Sequence, residues 1–340
     1  MRSSDPDVLV IGAGVSGLTT AVLLAEGGAR VAVQATLPPA ETTSAVAGAI
    51  WGPHLVGRDD RVGRWGLVTR DRLYELAGPG QPETGVRLLG GRLVSGHETT
   101  GDEMVADLAD VRPCEAADLP GGFRSGWRYT APIVSMPVYL EYLAGRLSRA
   151  GGTLETGVTC ASPAEAAGRT AAPVIVNCTG TGAHGFAGDP GVVPVRGQAV
   201  LAVNPGLTEF FVGTDRADGP GGGPDGTGLI YLFPRGSTVV LGGSHATGDW
   251  NLNPDPDLAA RIIDGCASIE PSLRKPEVIA HLVGLRPTRP QVRLEAVDLD
   301  GGRTLVHNYG HGGAGVTLSW GCAADAAGLA LAALGRASLG

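Results

Sequence analysis

Short apolar runs broken by glycine recur along the chain, and the spacing around them separates strands from helices. Residues 8–11 (VLVI) are a continuous, largely β-branched run, as expected of a strand covered on both faces. Residues 19–28 (TTAVLLAEGG) carry a helix to a glycine stop, and residues 30–35 (RVAVQA) return to a strand. Residues 62–76 predict an amphipathic helix, and residues 136–152 (MPVYLEYLAGRLSRAGG) predict another, closed by two glycines. Residues 174–183 (VIVNCTGTGA) repeat the buried strand followed by glycine. Residues 198–213 and 229–243 alternate as strands of an antiparallel sheet do. Between them, residues 215–228 (DRADGPGGGPDGTG) suit neither element, and so long a loop is expected to be a lid or irregular.

Nucleotide-type strand-and-glycine units thus occur at the beginning, middle and end of the chain, with helical and sheet-like material between them. No internal repeat is present. The predicted fold is α/β. A Rossmann-like domain from residues 1–55, 145–197 and 291–340 is interleaved with a substrate domain from residues 56–144 and 198–290, built on a mixed, largely antiparallel sheet. A length of 340 residues agrees with two lobes rather than one core.

Composition narrows the classes further. A 43% hydrophobic content suffices for a globular interior, and a net charge of −8 argues against nucleic acid or an anionic membrane as partner. Lys275 is the only lysine, which, with so much glycine and alanine, reads as coding bias. No apolar run approaches the ~18 residues of a membrane span. Residues 1–7 (MRSSDPD) lead into a strand without a signal-peptide layout, so a cytoplasmic location is expected. Cys114, Cys160, Cys178, Cys266 and Cys322 form no CxxC pair and read as free thiols. His54, His184 and His281 lack metal-ligand spacing, and no metal is expected.

The first chemistry lies at residues 8–17 (VLVIGAGVSG), where Gly12, Gly14 and Gly17 complete GxGxxG between a strand and a helix. Gly12 suits the tight turn, Gly14 the close approach of a pyrophosphate, and Gly17 the packing of helix on strand. The helix N-terminus then faces the phosphates. An acidic residue to hold the ribose hydroxyls is missing from the end of the second strand, where Gln34, Ala35 and Thr36 stand. Gln34 remains a weak candidate for the ribose, and the absence of a nearby arginine disfavours a 2′-phosphate.

Seven segments in order, VIGAGVSGL, TTSAVAGAIWGPH, VIVNCTG, PVRGQ, LGGSHATGDWNL, GLRPTRPQVRLE and HNYGHGGAGVTLSWG, resemble the D-amino-acid oxidase family of FAD-dependent flavoproteins, from about residue 8 to residue 325. The resemblance implies non-covalently bound FAD. Gly12, Ala13, Gly14, Val15, Ser16 and Gly17 would cradle its pyrophosphate. Thr42, Thr43 and Ser44, then Gly48, Ala49 and Ile50, would run along the ribityl chain and flavin ring. Gly312, Gly313, Ala314, Gly315, Val316 and Thr317 would close over the pyrimidine end, their glycines letting main chain approach a flat ring. Arg286 would pair with the substrate carboxylate and also lie against the cofactor. Tyr231 would hydrogen-bond the same carboxylate, and the Gly313 carbonyl would accept from the amine. The implied reaction passes a hydride from Cα to flavin N5. The imino acid hydrolyses to a 2-oxo acid and ammonia, and oxygen reoxidises the flavin with release of hydrogen peroxide. No side-chain acid or base is required, so His307 and His311 are expected to structure their loop.

The chain departs from that family in lacking a charged residue at 34–36. It also lacks a second tyrosine before Tyr231, Thr227 or its neighbours standing there, and has His245 where D-aspartate oxidases carry an arginine. Neutral D-amino acids are therefore the expected substrates. A D-aspartate or glycine oxidase-like enzyme is the alternative, as is a dehydrogenase that reacts poorly with oxygen. A non-catalytic FAD- or NAD-binding protein is a third reading. The expected partners are the D-amino acid and molecular oxygen, with a homodimer as one possible assembly.

Overall fold

The computed structural model describes residues 5–52, 60–98, 108–216 and 229–336. His54, Thr227 and most of the glycine-rich segment (217–228) lie outside them.

The chain opens with β1 (Val8–Ile11), α1 (Val15–Glu26) and β2 (Val31–Ala35). Alternation explains why β1 is apolar throughout. Val8 and Val10 pack with Leu18 and Val22 of α1, while Leu9 and Ile11 join a second cluster with Ala166, Ile175 and Phe186 on the opposite face. Helix α1 stops where Gly28 turns to φ +83°, a conformation L side chains disfavour.

Next come α2 (Arg61–Leu76), β3 (Val86–Ser95), β4 (Ala109–Pro113), β5 (Ser125–Val134), α3 (Met136–Arg149) and β6 (Thr153–Thr156). They are followed by α4 (Pro163–Gly168), β7 (Val174–Asn177), α5 (Ala183–Phe186), β8 (Val193–Val203), β9 (Phe210–Thr214), β10 (Ile230–Arg235), β11 (Thr238–Gly242) and β12 (Ala246–Thr247). The chain closes with α6 (Pro256–Ile269), β13 (Val278–Leu299), β14 (Arg303–His311) and α7 (Ser319–Ala333). The alternating stretches at 198–213 and 229–243 each hold two strands rather than one. The chain turns at Gly206 (φ +116°) in the first and at Gly236 (φ +73°) in the second.

Among the described residues the strands join in one 14-stranded sheet, ordered β4-β5-β3-β9-β10-β11-β8-β13-β14-β7-β1-β2-β6, with β12 beside β8. From β14 through β6 every pairing is parallel, the Rossmann-like half. From β9 through β14 every pairing is antiparallel.

The expected domain limits fall inside elements. Residues 144/145 lie within α3, 197/198 within β8 and 290/291 within β13. Helix α2, expected in the substrate domain, and helix α3, which the expected limit divides, pack on α7 and α1 of the nucleotide half. The physical reason is an apolar stripe on α3, Tyr139, Leu140, Leu143 and Leu147, buried in the same core as α1. Helix α6 covers the far face of the antiparallel strands, where Leu258, Ile262 and Cys266 meet Val200, Leu232 and Leu241. Leu232 faces α6, so its neighbours Tyr231 and Phe233 face the other side.

Candidate active site

A cavity of about 470 Å³ opens at the carboxyl ends of β1, β2 and β7 and extends under the antiparallel strands. Three glycine-bearing segments meet in its wall.

The first is the turn after β1. Gly12 has φ +113°, and a Cβ there would lie 2.4 Å from the Cys178 carbonyl oxygen, so conformation and space both require glycine. A Cβ on Gly17 would lie 1.9 Å from the Gly12 carbonyl oxygen. Gly17 therefore serves helix-to-turn packing and does not line the cavity, unlike Gly12, Ala13, Gly14, Val15 and Ser16. Gly14 is the N-cap of α1, with neither a side-chain cap nor an acidic residue in the first turn. The Val15 N–H donates to Ser44 Oγ at 3.0 Å. A helix start without a carboxylate of its own, opening on a cavity, suits a phosphate.

The second segment contributes Thr42, Thr43, Ser44, Gly48, Ala49 and Ile50 to the wall. The Thr42 hydroxyl is turned into its own bend, donating to the Pro39 carbonyl at 2.8 Å. Ala49 holds φ +56°, and its carbonyl accepts from the Val134 N–H at 2.8 Å. A Cβ on Gly48 would lie 2.9 Å from the Phe233 ring.

The third segment supplies Gly312, Gly313, Gly315, Val316 and Thr317. Gly312 turns at φ +56° into a short 3₁₀ turn that carries Gly313 past the wall. A Cβ on Gly315 would meet no protein atom nearer than 4.0 Å. The space there opens into the cavity. Thr317 Oγ1 donates to the Gly52 carbonyl at 2.7 Å and accepts from the Gly52 N–H at 3.2 Å, bolting this segment to the second. Ala314 is an exception among the expected contacts. It is fully buried with Leu318 and Cys322 and does not reach the cavity.

Gln34 is a second correction. Its Nε2 donates to Glu155 Oε2 on β6 at 2.9 Å, and Ala35, Thr36 and Leu37 line the cavity in its place. The alternation of β2 sends consecutive side chains to opposite faces, which takes Gln34 away from the cavity that Ala35 reaches.

Arg286 and Tyr231 both line the cavity. Arg286 Nη1 donates to the Ser244 carbonyl at 3.0 Å. Ser244 is itself held, its Oγ accepting from the Gln198 N–H at 2.7 Å. The Gln198 side chain is held at both ends: Oε1 accepts from Arg196 Nη2 and the Asp255 N–H, each at 2.9 Å, and Nε2 donates to the Asp255 carbonyl at 2.7 Å. Tyr231 stacks on Phe233, ring centroids 4.6 Å apart at 11°. Gly242 and Gly243 admit its ring, since a Cβ on either would come within 2.1 Å and 2.3 Å of it. Burial raises the Tyr231 phenol above its ordinary pKa, with the neighbouring Arg286 charge opposing.

His311 is buried in the cavity wall and contacts Asn308 Oδ1 at 3.1 Å. His307 contacts Asn177 Nδ2 at 3.3 Å. Burial pulls both down to about 4, so both are neutral at pH 7. Their partners are asparagine side chains. Burial also pushes the Cys178 thiol, another wall residue, up to about 12.

Further wall residues include Leu93, Leu108, Tyr129, Val212, Leu229 and Phe233. None was singled out in the sequence, because β3, β5, β9 and β10 meet only through long-range pairing. His245, by contrast, is not a wall residue, and Arg286 is the one arginine or lysine among the described residues that line the cavity.

The model of the FAD dependent oxidoreductase family matches residues 7–329. A D-amino-acid oxidase of Rubrobacter xylanophilus is 45% identical over 327 residues, covering 96% of each chain. One of Streptomyces coelicolor is 44% identical over 332 residues, covering 96% of this chain and 97% of that one. In fold, the crystal structure of glycine oxidase from Geobacillus kaustophilus superposes with a TM-score of 0.76 at 19% identity, over 96% of this chain and 94% of that one. Family model and full-length relatives agree with the phosphate-ready helix start and the cavity between the glycine segments: the chain belongs to the D-amino-acid oxidase family of FAD-dependent oxidoreductases.

Proposed function

We propose that the protein oxidises neutral D-amino acids to 2-oxo acids, ammonia and hydrogen peroxide, with FAD in the cavity. The observation that carries this reading is Arg286, the one arginine or lysine among the described residues lining the cavity, beside a buried tyrosine, Tyr231. The residues fit FAD. The start of α1, without a carboxylate of its own, suits its pyrophosphate, and the room over Gly315, beside Gly313 and Val316, suits a planar ring.

The chain's own residues bind and orient. Arg286 presents a planar fork that matches a carboxylate, a geometry lysine cannot reproduce. The Tyr231 phenol stays protonated at neutral pH and donates to the same carboxylate. Gly313 lies in the wall, and its carbonyl would accept from the amine. Leu93, Leu108, Val212 and Leu229 surround the substrate side chain and exclude water. Bound FAD supplies the two-electron acceptor and the reaction with oxygen. His311 is neutral and committed to Asn308, so rate comes from orientation rather than side-chain acid–base work.

The test is anaerobic. D-Alanine should bleach the yellow holoenzyme, air should restore the colour with release of peroxide, and L-alanine should do neither. Colour that D-amino acids leave unchanged would refute the reading.

A further inference from the structure

Arg235 has no part in the site as described, yet Tyr231, Phe233 and Arg235 alternate onto the same face of β10. Its Nη2 donates to two successive carbonyl oxygens, Ala47 at 2.5 Å and Gly48 at 2.8 Å. Its Nε is enclosed without a hydrogen-bond partner, and burial pulls its pKa down to about 10. Among the described residues no carboxylate pairs with it. An enclosed charge without a counter-ion is costly, and two carbonyl dipoles offset only part of that cost.

The peptide geometry shows what the charge acts on. In a trans peptide, the C=O of one residue and the N–H of the next point in opposite directions. With the Ala47 and Gly48 carbonyls turned onto Arg235, the N–H groups of Gly48 and Ala49 turn away from it. Gly48 and Ala49 line the cavity and Arg235 does not. Neither N–H makes a hydrogen bond within the described residues. The left-handed Ala49 and the contact of Gly48 with Phe233 leave this bend little freedom to turn otherwise.

We propose that Arg235 is a positioning residue for the flavin: it turns and polarises the 47–49 peptide units so that two main-chain donors face the ring, and its charge favours the reduced, electron-rich form. This rests on FAD occupying the cavity. Failure of the parent protein to bind FAD would sink that reading, whereas parent-like behaviour of the variants would sink only this one.

The experiment uses Arg235→Gln and Arg235→Lys, with FAD affinity from titration of apoprotein and the flavin midpoint potential from anaerobic reductive titration. Arg235→Gln should weaken FAD binding about tenfold and make the potential more negative by about 30 mV, the equivalent of a tenfold change for a two-electron couple. Arg235→Lys keeps the charge but loses the fork, so it should hold a near-parent potential with FAD binding weakened severalfold. Parent affinity and potential in Arg235→Gln would overturn the proposal. If Arg235→Gln does not fold, the lysine variant decides, and an unchanged FAD affinity in it would overturn the proposal equally.

Discussion

Gly197 lies flat beneath the guanidinium of Arg286: a methyl group on Gly197 would sit 2.4 Å from Nη1 and 2.6 Å from Cζ. The two residues belong to paired strands, Gly197 opposite Gly284 and Arg286 opposite Val195, so the backbones stay in place and the guanidinium must give way. Gly197→Ala should push the fork out of register while leaving the FAD segments untouched. KM for D-alanine should rise about 10- to 100-fold, roughly 1.4–2.7 kcal/mol, with the flavin spectrum unchanged. Steady-state kinetics with an absorbance spectrum checks both halves of that statement.

Arg286→Ala should remove most activity with D-amino acids, chiefly through binding, at a cost of roughly 3–5 kcal/mol in kcat/KM. Arg286→Lys should recover only part, since the ammonium cannot form two parallel bonds. A specificity constant within a few-fold of the parent for the alanine variant would remove Arg286 from the carboxylate.

With one arginine in the cavity and leucine and valine around it, D-valine, D-methionine and D-alanine should exceed D-aspartate and D-glutamate in kcat/KM. A second substrate carboxylate would have to shed its water against Leu93, Val212 or Leu229, at several kcal/mol. A substrate panel in which D-aspartate leads would contradict this wall.

His307 and His311 set a pH dependence of stability. Both titrate near 4 in the folded chain and near 6.5 when unfolded, because burial disfavours the charged ring. Between pH 6.5 and 4 the unfolded state binds protons that the folded state refuses. Their contribution is complete above pH 6.5 and falls as pH drops toward 4. Asp7, held down to about 2 chiefly by its hydrogen bond from Arg30, contributes above about 3.8 and loses its share only at lower pH. The Tm of apoprotein should therefore decline from pH 6.5 to 4, and the decline should be shallower in His311→Gln. A Tm that is level across that interval would contradict the burial of neutral imidazoles.

Much of this was legible in the sequence. Residues 8–17 declared both strand and phosphate-facing helix because packing and ligand approach make the same demand for glycine. The end of β2 was misjudged at Gln34 because one residue of register decides which face a side chain takes. Ala314 was misjudged because residues within one short turn need not share a wall. Gly197 stood in a recognised segment, PVRGQ, without a role, since its neighbour Arg286 is distant in sequence and arrives only through pairing of β8 and β13. Tyr129, Val212 and Leu229 gave no local signal at all. They become a wall by the order of strands in the sheet.

Strand β13 is 22 residues long, about 70 Å if fully extended, and it carries Arg286 near its middle. Its first part pairs with β8 and its last part with β14, which delivers residues 312–317 to the cavity. A clamshell motion of one half against the other would have to tear this ladder, at about 1 kcal/mol for each main-chain bond. The distance between Arg286 and residues 312–317 is therefore fixed like two marks on one ruler. Between those two marks, the clearance left for a substrate is set by the ladder and not by a hinge between the two halves.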